Sequence, residues 1–127
     1  MLKDSHAFSG FSVDDISAAK KFYGEILGVE VEDDAMGLTL KIAGGATIFV
    51  YPKPNHQPAS FTILNFPVAD IDQTAADLAA NGVTLEQYSG LPGVDEQGIQ
   101  RGRESGHGPD IAWFKDPAGN ILSILQS

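Results

Sequence analysis

The stretch FSVDDISAAKKFYGEILGVEV, Phe11 to Val31, decides how the chain is to be read. Ser9, Phe11 and Val13 alternate with Phe8, Gly10 and Ser12 as a strand does, and Asp15 stands where a helix N-cap belongs. Ile16, Ala19, Phe22, Tyr23, Ile26 and Leu27 then fall on one stripe at helical spacing, and Gly28 suits the left-handed position that ends a helix. The pattern returns: Phe11, Val13, Asp15 and Ile16 recur as Phe66, Val68, Asp70 and Ile71, each 55 positions later. Ile71, Ala75, Leu78 and Ala79 make the second stripe, and Gly82 ends it.

Each helix is followed by three expected strands, at 29–32, 38–42 and 46–51 in the first half and 83–88, 111–114 and 121–125 in the second. Ala43-Gly44-Gly45 matches Ala118-Gly119-Asn120 at an offset of 75, so extra residues have entered the second half as an inserted loop, 90–109. The expected layout is α+β, with two βαβββ modules, 5–53 and 59–127, joined by a stiff polar linker around Pro54 and Pro58. Neither module buries its sheet alone, so the reading is a single domain over 1–127.

The runs Phe11 to Val31, VADID at Val68 to Asp72, and WFKDPAGNIL at Trp113 to Leu122 together resemble the vicinal oxygen chelate superfamily of glyoxalases, bleomycin-resistance proteins and extradiol dioxygenases. The resemblance implies a curved, half-open mixed β-barrel, a homodimer, and a ligand in the concave face. In metal-dependent members it places a His or Gln seven residues before each capping Asp and a Glu three residues after the turn Asn. Those positions are Phe8, Ile63 and Ser123 here, and the 75-residue offset carries Ser123 onto Ile48. Divalent ions need three or four N or O donors, so the expectation is no metal and no cofactor.

Composition narrows the function further. Eight Lys and Arg against seventeen Asp and Glu give a net charge of −9, which repels a phosphate backbone and speaks against nucleic acid as a partner. There is no cysteine, hence no disulfide, no thiolate nucleophile and no cysteine zinc site. No apolar run of membrane-spanning length and no leader-like segment occurs, so the expected location is the cytoplasm, away from the membrane.

Alternation puts Trp113, the sole tryptophan, on the concave side with Ile111, and the same counting adds Phe8, Ile48, Val50, Phe61, Ile63 and Ile121, with Ser123, Asn65 and Ser12 as sparse polar contacts. His6 falls on the face of Phe8, while His56 reads as a surface residue of the linker. In the insertion, Arg101 and Arg103 are candidates to clamp an anionic group, or else they pair with neighbouring carboxylates. The expected function is binding of a small organic molecule in an apolar, aromatic-lined cavity by Phe8, Ile48, Ile63, Trp113 and Ser123, with Arg101, Arg103 and His6 at its rim. The alternative is a metal-dependent isomerase, lyase or dioxygenase that recruits its ligands from His6, His107 and the Glu or Asp residues near them.

Overall fold

In the computed structural model, which describes residues 1–127, Asp15 caps its helix as expected: its carboxylate accepts the Ala18 N–H at 3.1 Å and opens α1, Ile16–Lys21. The helix widens into a π-helical turn, Phe22–Ile26, closed by the Leu27 N–H on the Phe22 carbonyl at 2.9 Å, and Gly28 follows at φ +72°. Asp70 repeats the cap on Gln73 N–H at 3.0 Å and opens α2, Ile71–Ala80, with Gly82 at φ +82° beyond its end. No helix is long and apolar enough to cross a membrane. The chain divides into two compact units, Met1–Pro58 and Ala59–Ser127.

The first unit is a four-stranded mixed sheet in the order β1-β4-β3-β2. β1 (Ser9–Val13) runs parallel to β4 (Thr47–Pro52), while β3 (Gly37–Lys41) and β2 (Glu30–Asp34) follow antiparallel. Phe11 pairs with Val50, which pairs with Leu38, and the Phe11 ring lies 5.8 Å from that of Tyr23 in the helical segment. That face is therefore the covered one, and Val13, Leu38, Leu40 and Val50 are buried on it.

Ile48 pairs with Ser9 and Leu40 and so belongs to the covered face, as does Val50, which corrects the expectation that both line the concave side. The cause is a register slip of one residue. Phe11 faces Val50 and Phe66 faces Ile124, so the last strands of the two halves are related by 74 positions, not 75, and a slip of one inverts the face. The counterpart of Ser123 is Phe49.

The second unit has the matching order β5-β8-β7-β6, built from β5 (Thr62–Pro67), β6 (Gln100–Arg101), β7 (Asp110–Lys115) and β8 (Ile121–Gln126). The strand expected at 83–88 does not form. That segment sends one backbone bond to the sheet, from Glu86 N–H to the Trp113 carbonyl at 2.8 Å. The edge is taken instead by β6, from inside the insertion expected to be a plain loop, and a short helix, α3 (Gly102–Ser105), follows it.

The insertion wins this competition because it is internally braced. The Asp95 carboxylate accepts the N–H groups of Gln97 and Ile99 at 2.9 and 3.0 Å, and Arg101 N–H reaches the Gly93 carbonyl at 2.9 Å. Ile99 is wholly buried alongside Ile71, Ala112, Phe114 and Leu122. Full burial of such a side chain is worth about 1.5–3 kcal/mol, and it comes in addition to the edge hydrogen bonds that either segment would make. Gly98, at φ +101°, permits the approach: a Cβ there would stand 2.8 Å from the Glu86 carbonyl oxygen.

Candidate functional site

Strand alternation in β7 buries Ala112 and Phe114 and turns Trp113, paired with Ser123, to the opposite face. A bulge in β5 then supplies its neighbour. The register shifts between Thr62, which pairs with Ile121, and Leu64, which pairs with Leu122, leaving Ile63 as the extra residue. Ile121 also pairs with Lys115, two residues along from Trp113, so the bulge brings Thr62 onto the tryptophan face. Its Oγ1 accepts the indole Nε1–H at 3.1 Å. Tyr88, at the end of the displaced segment, packs against the indole with centroids 5.4 Å apart and planes at 71°.

These groups stand at a cavity of about 650 Å³ within the second unit, walled by Phe61, Thr62, Tyr88, Leu91, Trp113 and Ile121, with Ser60, Gln87 and Ser89 as polar members. No charged side chain lines it. A mostly apolar, aromatic wall with few polar groups is the usual make-up of a small-molecule pocket. A second hollow of about 420 Å³ lies between α2 and 83–87, lined by Ala75, Ala76 and Ala79.

Of the residues expected at the site, Trp113 lines the cavity. Ser123 is fully buried, and its hydroxyl donates to the Asn65 amide oxygen at 2.5 Å. Ile63 is the bulge residue, half-buried and outside the cavity wall. In the first unit Ile48 lies on the covered face, whereas Phe8, just ahead of β1, is 69% exposed and His6 is exposed. Thr62 and Tyr88 were not foreseen. Tyr88 closed an expected strand, and nothing local in the sequence marks the bulge that turns Thr62. His56, expected at the surface, is half-buried with Nδ1 2.6 Å from Ser12 Oγ.

The arginines are committed elsewhere. Arg101 sends Nη2 and Nη1 to the Asp72 carboxylate at 2.7 and 3.2 Å and Nε to Asp95 at 3.0 Å, and its Nη1 lies 3.6 Å from buried Asp110. The Asp72 carboxyl is held below its ordinary pKa by the hydrogen bond from Arg101, against a smaller opposing effect of burial. Burial pushes Asp95 up, but the Ile99 N–H, Arg101 and the Gln97 N–H outweigh it, and the net direction is down. Arg101 itself is raised, chiefly by Asp72. Arg103 is nearly half exposed, with Nη1 3.7 Å from Asp110. Lys115, beside the cavity on β7, is paired with Glu86 at 3.2 Å.

The positions that the resemblance gave to metal ligands carry Phe8, Ile63, Ser123 and, after the register correction, Phe49 in place of Ile48. Phenylalanine and isoleucine offer no donor, and the one hydroxyl is bonded to Asn65, so this set does not fit a divalent ion. No three His, Asp or Glu side chains gather elsewhere in a way that would hold one.

Two four-stranded mixed sheets, each with a capped helix after its first strand, define an α+β fold of duplicated modules. The chain belongs to the glyoxalase/bleomycin resistance protein/dioxygenase superfamily, whose family model matches residues 6–124. Among solved structures it is similar to TnmS3, an antibiotic binding protein from Streptomyces sp. CB03234, with 24% identity, 97% of each chain covered and a TM-score of 0.64. A glyoxalase/bleomycin resistance protein from the same Streptomyces strain is 26% identical over 94% of this chain and 100% of that one, with a TM-score of 0.58. The fosfomycin resistance protein FosX from Listeria monocytogenes shares 14% identity over 98% and 93% of the two chains, with a TM-score of 0.68. No curated protein matches in sequence.

Proposed function

We propose that this chain is a metal-free binding protein of the superfamily that sequesters a small organic molecule against Trp113 and acts as a homodimer. The observation that carries the reading is the uncharged, aromatic-walled cavity of the second unit. The donor set argues for binding without turnover, because Phe8, Phe49 and Ile63 stand where an electrophilic metal would need ligands. The name of TnmS3 as an antibiotic binding protein is consistent with this reading. Pairing of two copies is supported by Phe8 and Phe61, which are 69% and 68% exposed.

The test uses the single tryptophan as reporter: its emission is followed while small aromatic compounds are titrated in. Trp113→Ala, assayed by calorimetry, is expected to weaken binding by more than about tenfold while the far-UV spectrum is kept. Loss of the fold would instead assign the indole to the core. Metal analysis after incubation with nickel, zinc, iron and manganese is expected to find below about a tenth of an equivalent of each, and near one equivalent would overturn the metal-free reading. Sedimentation is expected to give a dimer.

A further inference from the structure

Three features around Trp113 are independent of one another and constrain what the cavity accepts. The first is orientation. Without the bulge, alternation from Asn65 would put Ile63, not Thr62, on the tryptophan face; the register shift puts Thr62 there, and its Oγ1 takes up the indole N–H. An indole whose only donor is satisfied offers a ligand its ring and nothing else.

The second is shape. Tyr88 stands at 71° to the indole with centroids 5.4 Å apart, so the two rings form a near-perpendicular corner. A flat ring system fits such a corner by lying on one ring and meeting the other with its edge, the two arrangements that aromatic pairs favour.

The third is charge. No charged side chain lines the cavity, and the cation beside it on β7, Lys115, is paired with Glu86. An anion would enter an apolar site without a counter-charge, in a chain that already carries −9. A neutral ligand meets neither penalty, and a cation is favoured by both the net charge and the ring faces.

Resting on the reading of this cavity as a binding site, we propose that the Trp113–Tyr88 corner receives a flat aromatic ligand without negative charge, and that Thr62 is the positioning residue that sets the indole for it. Acids are thereby disfavoured, and Arg101 of the insertion, held by Asp72 and Asp95, serves the fold instead of the ligand.

The experiment is calorimetric titration of the whole chain at pH 7 with three probes that share one bicyclic ring: 2-naphthol, 2-naphthylmethylammonium and 2-naphthoate. The neutral and cationic probes are expected to bind at least about tenfold tighter than the carboxylate. Thr62→Val, which keeps shape and removes the acceptor, is expected to weaken 2-naphthol by about fivefold and to shift tryptophan emission, and Thr62→Ser to restore both. Tightest binding of 2-naphthoate, or a Thr62→Val variant indistinguishable from the parent, would overturn the proposal. If the carboxylate wins and Trp113→Ala still abolishes binding, only this inference falls. If Trp113→Ala binds all three probes as the parent does, or if no probe binds the parent, the cavity reading falls with it.

Discussion

The two units share a strand order and a helix cap, and they differ at one edge. In the first, β2 continues straight from the helix into the sheet, with Glu30 to Asp34 paired against Lys41 to Gly37. In the second, the equivalent segment after α2 leaves the sheet, the insertion supplies β6, and the displaced residues Gln87, Tyr88 and Ser89 become a cavity wall. The open face diverges too. Phe49 and Tyr51 stack on each other at 5.8 Å in the first unit, whereas the corresponding face of the second holds the Asn65–Ser123 pair and Trp113. In the second unit the cavity wall includes a segment whose place in the sheet is taken by another part of the chain.

The sharpest way to break this comparison is to change neighbouring residues on β7. Phe114→Ala should cost about 3–5 kcal/mol in urea unfolding, because the ring is almost completely buried, and a small cost would mean that the covered face has been misassigned. Trp113→Ala should fall well short of that loss and act on ligand affinity instead. Phe49→Ala, at the position equivalent to Ser123, should leave affinity within about twofold, since it does not line the cavity.

Charge pairs separate the units next. Arg101→Gln should lower stability by about 1–3 kcal/mol, because it leaves Asp72 and Asp95 without their cation and buried Asp110 with Arg103 alone. Lys20→Gln, which removes the exposed partner of Asp33 in the first unit, should cost no more than about 1 kcal/mol. The Arg101 effect also has a pH signature. Asp72 and Asp95 have folded pKa values below their unfolded ones, so their contribution is fully present above the ordinary carboxylate range and is lost as pH falls through the folded values. The parent and Arg101→Gln unfolding midpoints should therefore converge in acid and stay apart at pH 7.

Most of the fold was legible because its signals are local. Asp15 and Asp70 cap within three residues, and the Asp116 to Asn120 turn closes through the Asp116 carboxylate accepting the Ala118 and Asn120 N–H groups at 2.9 Å each. What failed depends on competition at a distance. Residues 83–88 have strand composition, but edge pairing went to a segment whose advantage comes from buried Ile99 and from Arg101 reaching Asp72, 29 residues back. Alternation alone puts Ile48 on the wrong face, because a one-residue difference in offset is invisible until strands are paired. The face of Trp113 follows from alternation alone, whereas its neighbours Thr62 and Tyr88 depend on a bulge and on the lost strand.

The Ser12–His56 bond also bears on where the chain can be divided. With Lys53 N–H on the Val13 carbonyl at 2.9 Å and His56 N–H on the Lys53 carbonyl at 3.0 Å, residues 53–56 are clipped to β1. A cut after Lys53, at the end of the first expected module, would strand the histidine of that clip on the wrong fragment. The seam that leaves each unit whole is the Pro58–Ala59 peptide bond, where one unit ends and the next begins along the sequence.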